Sequence, residues 1–80
     1  MIVVKLMFGD NLRNLDELEA VISWPIPFIP RIGELLLDVE SLSHEIPSEY
    51  GNCMWEVWSV DYRRDGLYMP VIWLNDIEAQ

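Results

Sequence analysis

The sequence is short of the residues on which most chemistry and several architectures depend. It has one cysteine and one histidine in 80 residues. It therefore holds no internal disulfide and none of the paired Cys or His spacings that mark a zinc site. No run of about 18 apolar residues offers a membrane-spanning helix. Glycines stand singly at 9, 33, 51 and 66, so there is no Gly-rich loop to cradle a phosphate or dinucleotide, and no cofactor is expected. Basic side chains number five against fourteen acidic ones, a net charge of −9. Such a chain repels phosphate polyanions, and because nucleic-acid affinity comes mainly from Lys and Arg, direct nucleic-acid binding is not expected.

What is present argues for a folded domain. At 51% apolar residues the chain is too hydrophobic for disorder. Its length allows one domain, 1–80, with a small core, since a chain this short buries only about 60% of its unfolded surface. A two-lobed enzyme does not fit. The segment Met1–Phe8 is apolar but broken by Lys5, with neither a basic leader nor a small-residue cleavage site, so it does not read as a signal peptide. With a single cysteine, a cytoplasmic location is the expectation. From Ile32 to Tyr62 there is no Lys or Arg, while Glu34, Asp38, Glu40, Glu45, Glu49, Glu56 and Asp61 carry carboxylates. This reads as a solvated face, or as a negative surface for a basic partner.

Along the chain, Ile2, Val4, Leu6 and Phe8 alternate with Val3, Lys5 and Met7, the period of a half-buried strand. Residues 14–23 allow two readings. Leu15, Leu18 and Ile22 have helical spacing behind an Asn14 cap, whereas Leu18, Ala20, Ile22 and Trp24 fit a strand that runs into Pro25, which forces its predecessor out of the helical region. Pro25, Pro27 and Pro30 make a stiff connector, and the apolar Ile26, Phe28 and Ile29 between them predict that it packs inward. Leu35, Leu37 and Val39 alternate with Glu34, Leu36 and Asp38, a further strand with the first set inward. Residues 41–52 form a polar loop with room for one helical turn. Trp55 and Val57 are offset from Val60 and Tyr62 by an odd step, which requires a bulge or sharp bend near Trp58-Ser59. Asp65-Gly66 between two apolar runs predicts a hairpin. Pro70 in its second arm predicts an edge at that point.

The ordered pattern Pro27-Phe28-Ile29-Pro30-Arg31-Ile32-Gly33-Glu34, an alternating strand, a variable loop, then Trp55-Glu56-Val57 with Val60 and a final hairpin, covers about residues 25–75. It resembles the short SH3-like barrel proteins, many of them uncharacterised, of bacteria and of phages or other mobile elements. The resemblance implies a small barrel and does not select a function. The expected fold is mainly β: a five-stranded, mostly antiparallel SH3-like barrel with strands near 2–8, 18–24, 33–39, 54–62 and 67–74. The alternative is an α+β domain with a helix at 14–23.

Candidate chemistry is thin. His44 lies in the polar loop near Glu45 and Glu49 in sequence and reads as a plain exposed histidine. Cys53 reads as a small buried hydrophobe, and nothing in the sequence sets a cation beside it to make a nucleophile. His44, Glu45, Glu49 and Cys53 match no zinc pattern. Glu34, Asp38 and Glu40 would share one wet strand face. The aromatic side chains are more suggestive, because a core this small cannot enclose four tryptophans beside its aliphatic claimants, and Trp is enriched in binding hot spots. Pro27-x-x-Pro30-Arg31 also matches the core of a polyproline ligand motif. The expected function is a non-enzymatic protein-interaction module, able to self-associate, with Trp24, Trp58, Tyr68, Trp73, Glu40, Glu45 and Glu49 as candidate partner-binding residues. The alternatives are an acidic decoy for a basic nucleic-acid-binding site on another protein, and a small-molecule site completed by a dimer.

Overall fold

The computed structural model describes residues 2–9, 15–64 and 68–77. It contains β1 (Val3–Phe8), β2 (Leu18–Ser23), β3 (Leu35–Leu36), β4 (Trp55–Arg64) and β5 (Tyr68–Asp76), with 3-10 turns at Val39–Ser41 and Ser48–Asn52. The strands form one sheet in the order β2-β1-β5-β4-β3, curled into a half-barrel. The mainly β reading holds. Where the helical alternative competed, Leu18–Ser23 is a strand that pairs antiparallel with β1.

Two antiparallel units, β1–β2 and β3–β4–β5, meet where β1 lies parallel to β5. Among the described residues three of the four pairings are antiparallel, as expected, and the parallel pair is the exception. The cause is the crossover: the chain leaves β2 on one edge and re-enters at β3 on the other, so its first and last strands close the middle in the same direction.

Alternation sets the inner face. Val4, Leu6 and Phe8, then Ala20 and Ile22, Trp55 and Val57, and Ile72 and Leu74 are all buried in one cluster. Pairing of β4 with β5 steps from Val57↔Leu74 to Ser59↔Trp73, which leaves Trp58 as the extra residue of a bulge at the place its odd offset demanded. Without that extra residue, Val60 would face outward. Trp55, fully buried, organises the centre. Phe8 meets it edge-on with ring centroids 4.9 Å apart, and Tyr50 stacks on it at 6.0 Å. The Trp55 indole N–H donates to the Tyr50 carbonyl at 2.8 Å. Aromatic pairs of this kind contribute about 0.5–1.5 kcal/mol each beyond their buried area.

The third strand is shorter than its alternation suggests, and it is turned over. Leu35 and Leu37 are exposed, while Leu36 packs against the core because it stands opposite the buried Trp55. Asp38 then enters the left-handed region at φ 52. That reversal returns Val39 to the interior, so Val39 is buried without belonging to the strand. The proline connector also differs from expectation: Ile26 and Phe28 are exposed, and of the three apolar residues only Ile29 packs on the core. Its anchor is Trp24, whose indole N–H donates to the Phe28 carbonyl at 2.8 Å. With φ restrained at Pro25 and Pro27, the chain between these two ends bows away from the sheet. Pro70 sits as expected. β5 is central in the sheet, yet its pairing with β1 begins only at Val71, so the missing N–H falls outside that ladder.

Gly33 has φ +97 with open space where a side chain would go. It is the third residue of a turn closed by Glu34 N–H donating to the Arg31 carbonyl at 3.0 Å, the position where a type II turn needs positive φ. Since no neighbour would be struck, Gly33→Ala isolates the conformational cost. Urea unfolding should show a loss of about 1 kcal/mol, and an unchanged midpoint would show that the turn does not need its glycine.

Tyr50 gives a pH signature. Its hydroxyl donates to the Asp16 carbonyl, and burial, followed by the charges of Asp16 and Glu49 and by Cys53, pushes its phenol above the ordinary value. Ionisation is then harder in the fold than in the unfolded chain. The corresponding stability is whole below about pH 10 and is lost as pH rises through the raised value. Tyr50→Phe should lose about 1 kcal/mol at neutral pH and flatten this alkaline decline in unfolding measurements. A decline as steep as in the wild type would place its origin in other groups.

Candidate functional site

Register carries the outer face of the sheet. Side chains alternate across each strand, so residues opposite one another share a face. The pairings Met7↔Glu19, Met7↔Trp73 and Ser59↔Trp73 therefore set Glu19, Met7, Trp73 and Ser59 in one row across β2, β1, β5 and β4. At the end of that row the bulge turns Trp58 outward, 52% exposed. Its ring lies 6.0 Å from that of Trp73, the planes at 52°. Trp73 is held by its indole N–H, which donates to Asp61 Oδ2 at 2.9 Å.

Beside this pair runs an open cleft of about 460 Å³, walled by Trp58 and Trp73 on one side and by Glu17 and Glu19 on the other, with Gly9 and Asn75 between. Gly9 contributes no side chain, which leaves the space between the walls open, while its N–H donates to the Leu74 carbonyl at 3.0 Å. Lys5 reaches Glu19 at 3.3 Å, so among the described residues lining the cleft Glu17 is the carboxylate left over after that pairing, with Asp61 behind Trp73. Aromatic faces beside carboxylates suit a ligand that is apolar and cationic.

A second exposed region lies where β1 and β5 part before Val71. There Ile2, Val3, Val21, Tyr62, Met69 and Pro70 line an open apolar hollow of about 610 Å³. Ile2, Val3, Val21 and Tyr62 are all exposed there.

Of the residues singled out from sequence, Trp58 and Trp73 are brought together. Trp24 is not available, being 2% exposed: it follows β2 on the inner face, and its indole N–H serves the connector. Tyr68 lies on β5 opposite Arg64, and its side chain is outside the described residues. Glu40 is half-buried. Its carboxylate occupies the space a side chain at Gly51 would need, and Oε1 is buried without a hydrogen-bond partner. Glu45 and Glu49 are exposed but do not line the Trp58–Trp73 cleft. His44 is exposed and Cys53 is buried in the core cluster, so imidazole and thiol face opposite environments. Sequence reading missed Glu17, Glu19 and Gly9, and it missed Asp61 as the support of Trp73. The usable signal was register, because Glu19 joins the indole row only once β2 is paired with β1.

Among the described residues no helix is long and apolar enough to cross a membrane, and no group of His, Cys, Asp and Glu is placed to hold a metal ion. Comparison with family models, curated proteins and solved structures gives no match.

The division of the indoles is directly measurable. Acrylamide should quench the part of the tryptophan emission that disappears in the Trp58→Ala, Trp73→Ala double variant, leaving a protected component from Trp24 and Trp55. Equal quenching of all the emission would contradict the division.

Proposed function

We propose that the protein is a non-enzymatic interaction module that receives a segment of another protein in the cleft between the Trp58–Trp73 pair and the Glu17–Glu19 wall. The carrying observation is that the bulge lifts an indole out of the core and stands it beside a second one, 6.0 Å away. An exposed Trp costs solubility, and paired indoles beside a groove are what binding hot spots are built from. The carboxylates on the opposite wall, on a chain of net charge −9, select a segment carrying basic side chains. The single cysteine, buried in the core, fits a reducing compartment such as the cytoplasm.

The test is selection from a displayed peptide library. Selected peptides should be rich in basic residues and bind more weakly as salt rises. Trp58→Ala and Trp73→Ala should each lower their affinity by about tenfold or more, the effect of losing a hot-spot side chain. Peptides indifferent to both substitutions would overturn this site. The second reading, an acidic decoy for a basic nucleic-acid-binding site, is favoured by exposed Glu45 and Glu49 within the cation-free stretch 32–62. Loss of binding on Glu45→Gln and Glu49→Gln, with the indoles silent, would select it instead.

A further inference from the structure

The outer edge of β2 has a hydrogen-bonding pattern that can be read from one contact. The Trp24 N–H donates to the Ile2 carbonyl at 2.8 Å, which continues the antiparallel β1–β2 ladder. Hydrogen-bonded positions in such a ladder alternate. Ile22, Ala20 and Leu18 therefore also turn their backbone groups toward β1, and the N–H and C=O of Glu19, Val21 and Ser23 point the other way. β2 is the outermost strand of the sheet on that side. Of the usual protections of an edge it has one charge, Glu19, which Lys5 partly offsets at 3.3 Å. Its six residues contain no proline, its register with β1 has no bulge, and its outward face carries a 46% exposed valine.

We propose that this edge pairs antiparallel with the same edge of a second copy of the chain, about a two-fold axis midway between the two Val21 residues. Two identical antiparallel edges are self-complementary under such an axis. With Val21 opposite Val21, Glu19 faces Ser23 of the second copy and Ser23 faces its Glu19. Centring on Val21 pairs all three outward-facing residues of β2, giving six backbone hydrogen bonds. Centring on Glu19 would set two carboxylates opposite each other, which is unfavourable, and centring on Ser23 would bring Pro25 against Val21, where a donor is missing. Lys5 holds Glu19 at 3.3 Å and so offsets its charge near the axis. Val3, exposed on the outer face beside Ser23, extends the apolar contact on both sides. The axis stands perpendicular to the joined sheet, so cross-strand partners keep to one face, and both Trp58–Trp73 clefts open on the same side. A partner with two docking segments would then be held with an effective concentration advantage.

Sedimentation equilibrium and cysteine cross-linking test this on the full chain. The wild type should form dimers whose fraction rises with concentration. Val21→Cys should close a disulfide between copies under mild oxidation, since the pair spacing of about 5.5 Å suits one. Glu19→Cys and Ser23→Cys should cross-link strongly when mixed and weakly when oxidised alone. Val21→Asp puts like charges across the axis and should raise the dimer dissociation constant by about tenfold or more. Val21→Pro removes an N–H that bonds nothing in β1 and should do the same. Near-UV circular dichroism of both variants should keep the wild-type shape, which separates loss of pairing from loss of fold. A chain monomeric at every concentration, or a dimer indifferent to Val21→Asp and to Val21→Pro, overturns the proposal. The cleft is tested independently: Trp58→Ala should leave dimerisation unchanged, and the Val21 variants should still bind a single selected peptide.

Discussion

The enclosure of Trp55 by Phe8 and Tyr50 is the constraint on which the rest of the structure depends. Those three rings come from β4, from β1 and from the 3-10 turn at Ser48–Asn52, so one aromatic contact ties a central strand, the last strand but one and the longest loop together. The indole N–H is the only polar group Trp55 brings inside, and the Tyr50 carbonyl accepts it. An unmet donor in that place would cost about 1–3 kcal/mol. The loop is therefore fastened by the same residue that fills the core, and Tyr50 in turn reaches back through its hydroxyl to Asp16 ahead of β2.

The bulge follows from that choice. β4 must keep Trp55 and Val57 inside, and it must also present Val60 to Ile72, and strict alternation satisfies only one of these. One inserted residue reconciles them, at the cost of an unpaired position in the ladder. Placing a tryptophan there makes the misfit useful. The bulged side chain has no cross-strand partner to pack on, so its ring leans on Trp73 instead, and a correction needed by the core becomes the most aromatic feature of the outer surface.

Much of this arrangement was legible from local signals. Alternation over 2–8, the Pro25 block after Trp24 and the odd offset between Val57 and Val60 each express backbone sterics within a few residues, and the strands near them agree with the structure. Asp65-Gly66 lies outside the described residues, while the antiparallel pairing of the two strands it was expected to join is present. Less was legible where the deciding contact is distant. Leu36 rather than Leu35 faces the core because Trp55 sits opposite it, and a two-residue strand has too little alternation of its own to declare a face. The proline run misled because apolar side chains between prolines look like packing material, whereas only Ile29 reaches the core. Trp24 and Trp73 look alike as sequence, each close behind a Val-Ile pair, but Ser23 intervenes before Trp24 and nothing intervenes before Trp73. They part company because Trp24 follows Ile22 onto the inner face, while Trp73 lies one residue after the inward Ile72.

A closed barrel would have shielded every strand edge, and this half-barrel does not. Its two edges are unequal in a way that bears on use. β3 is only two residues long, and a short edge is itself a defence against unwanted pairing. β2 is a regular six-residue edge that no described strand covers. The indole cleft and this edge lie on the same sheet face, joined through Glu19, whose carboxylate walls the one and whose backbone belongs to the other. A chain that spends so much of its small apolar stock outside the core, at Trp58, Val21, Val3, Ile2 and Tyr62, gives up burial that its own stability could have used. That sacrifice has a physical rationale when the exposed groups are covered in the working state, and the arrangement of these residues around one face and one edge is the geometry that contact with other chains would require.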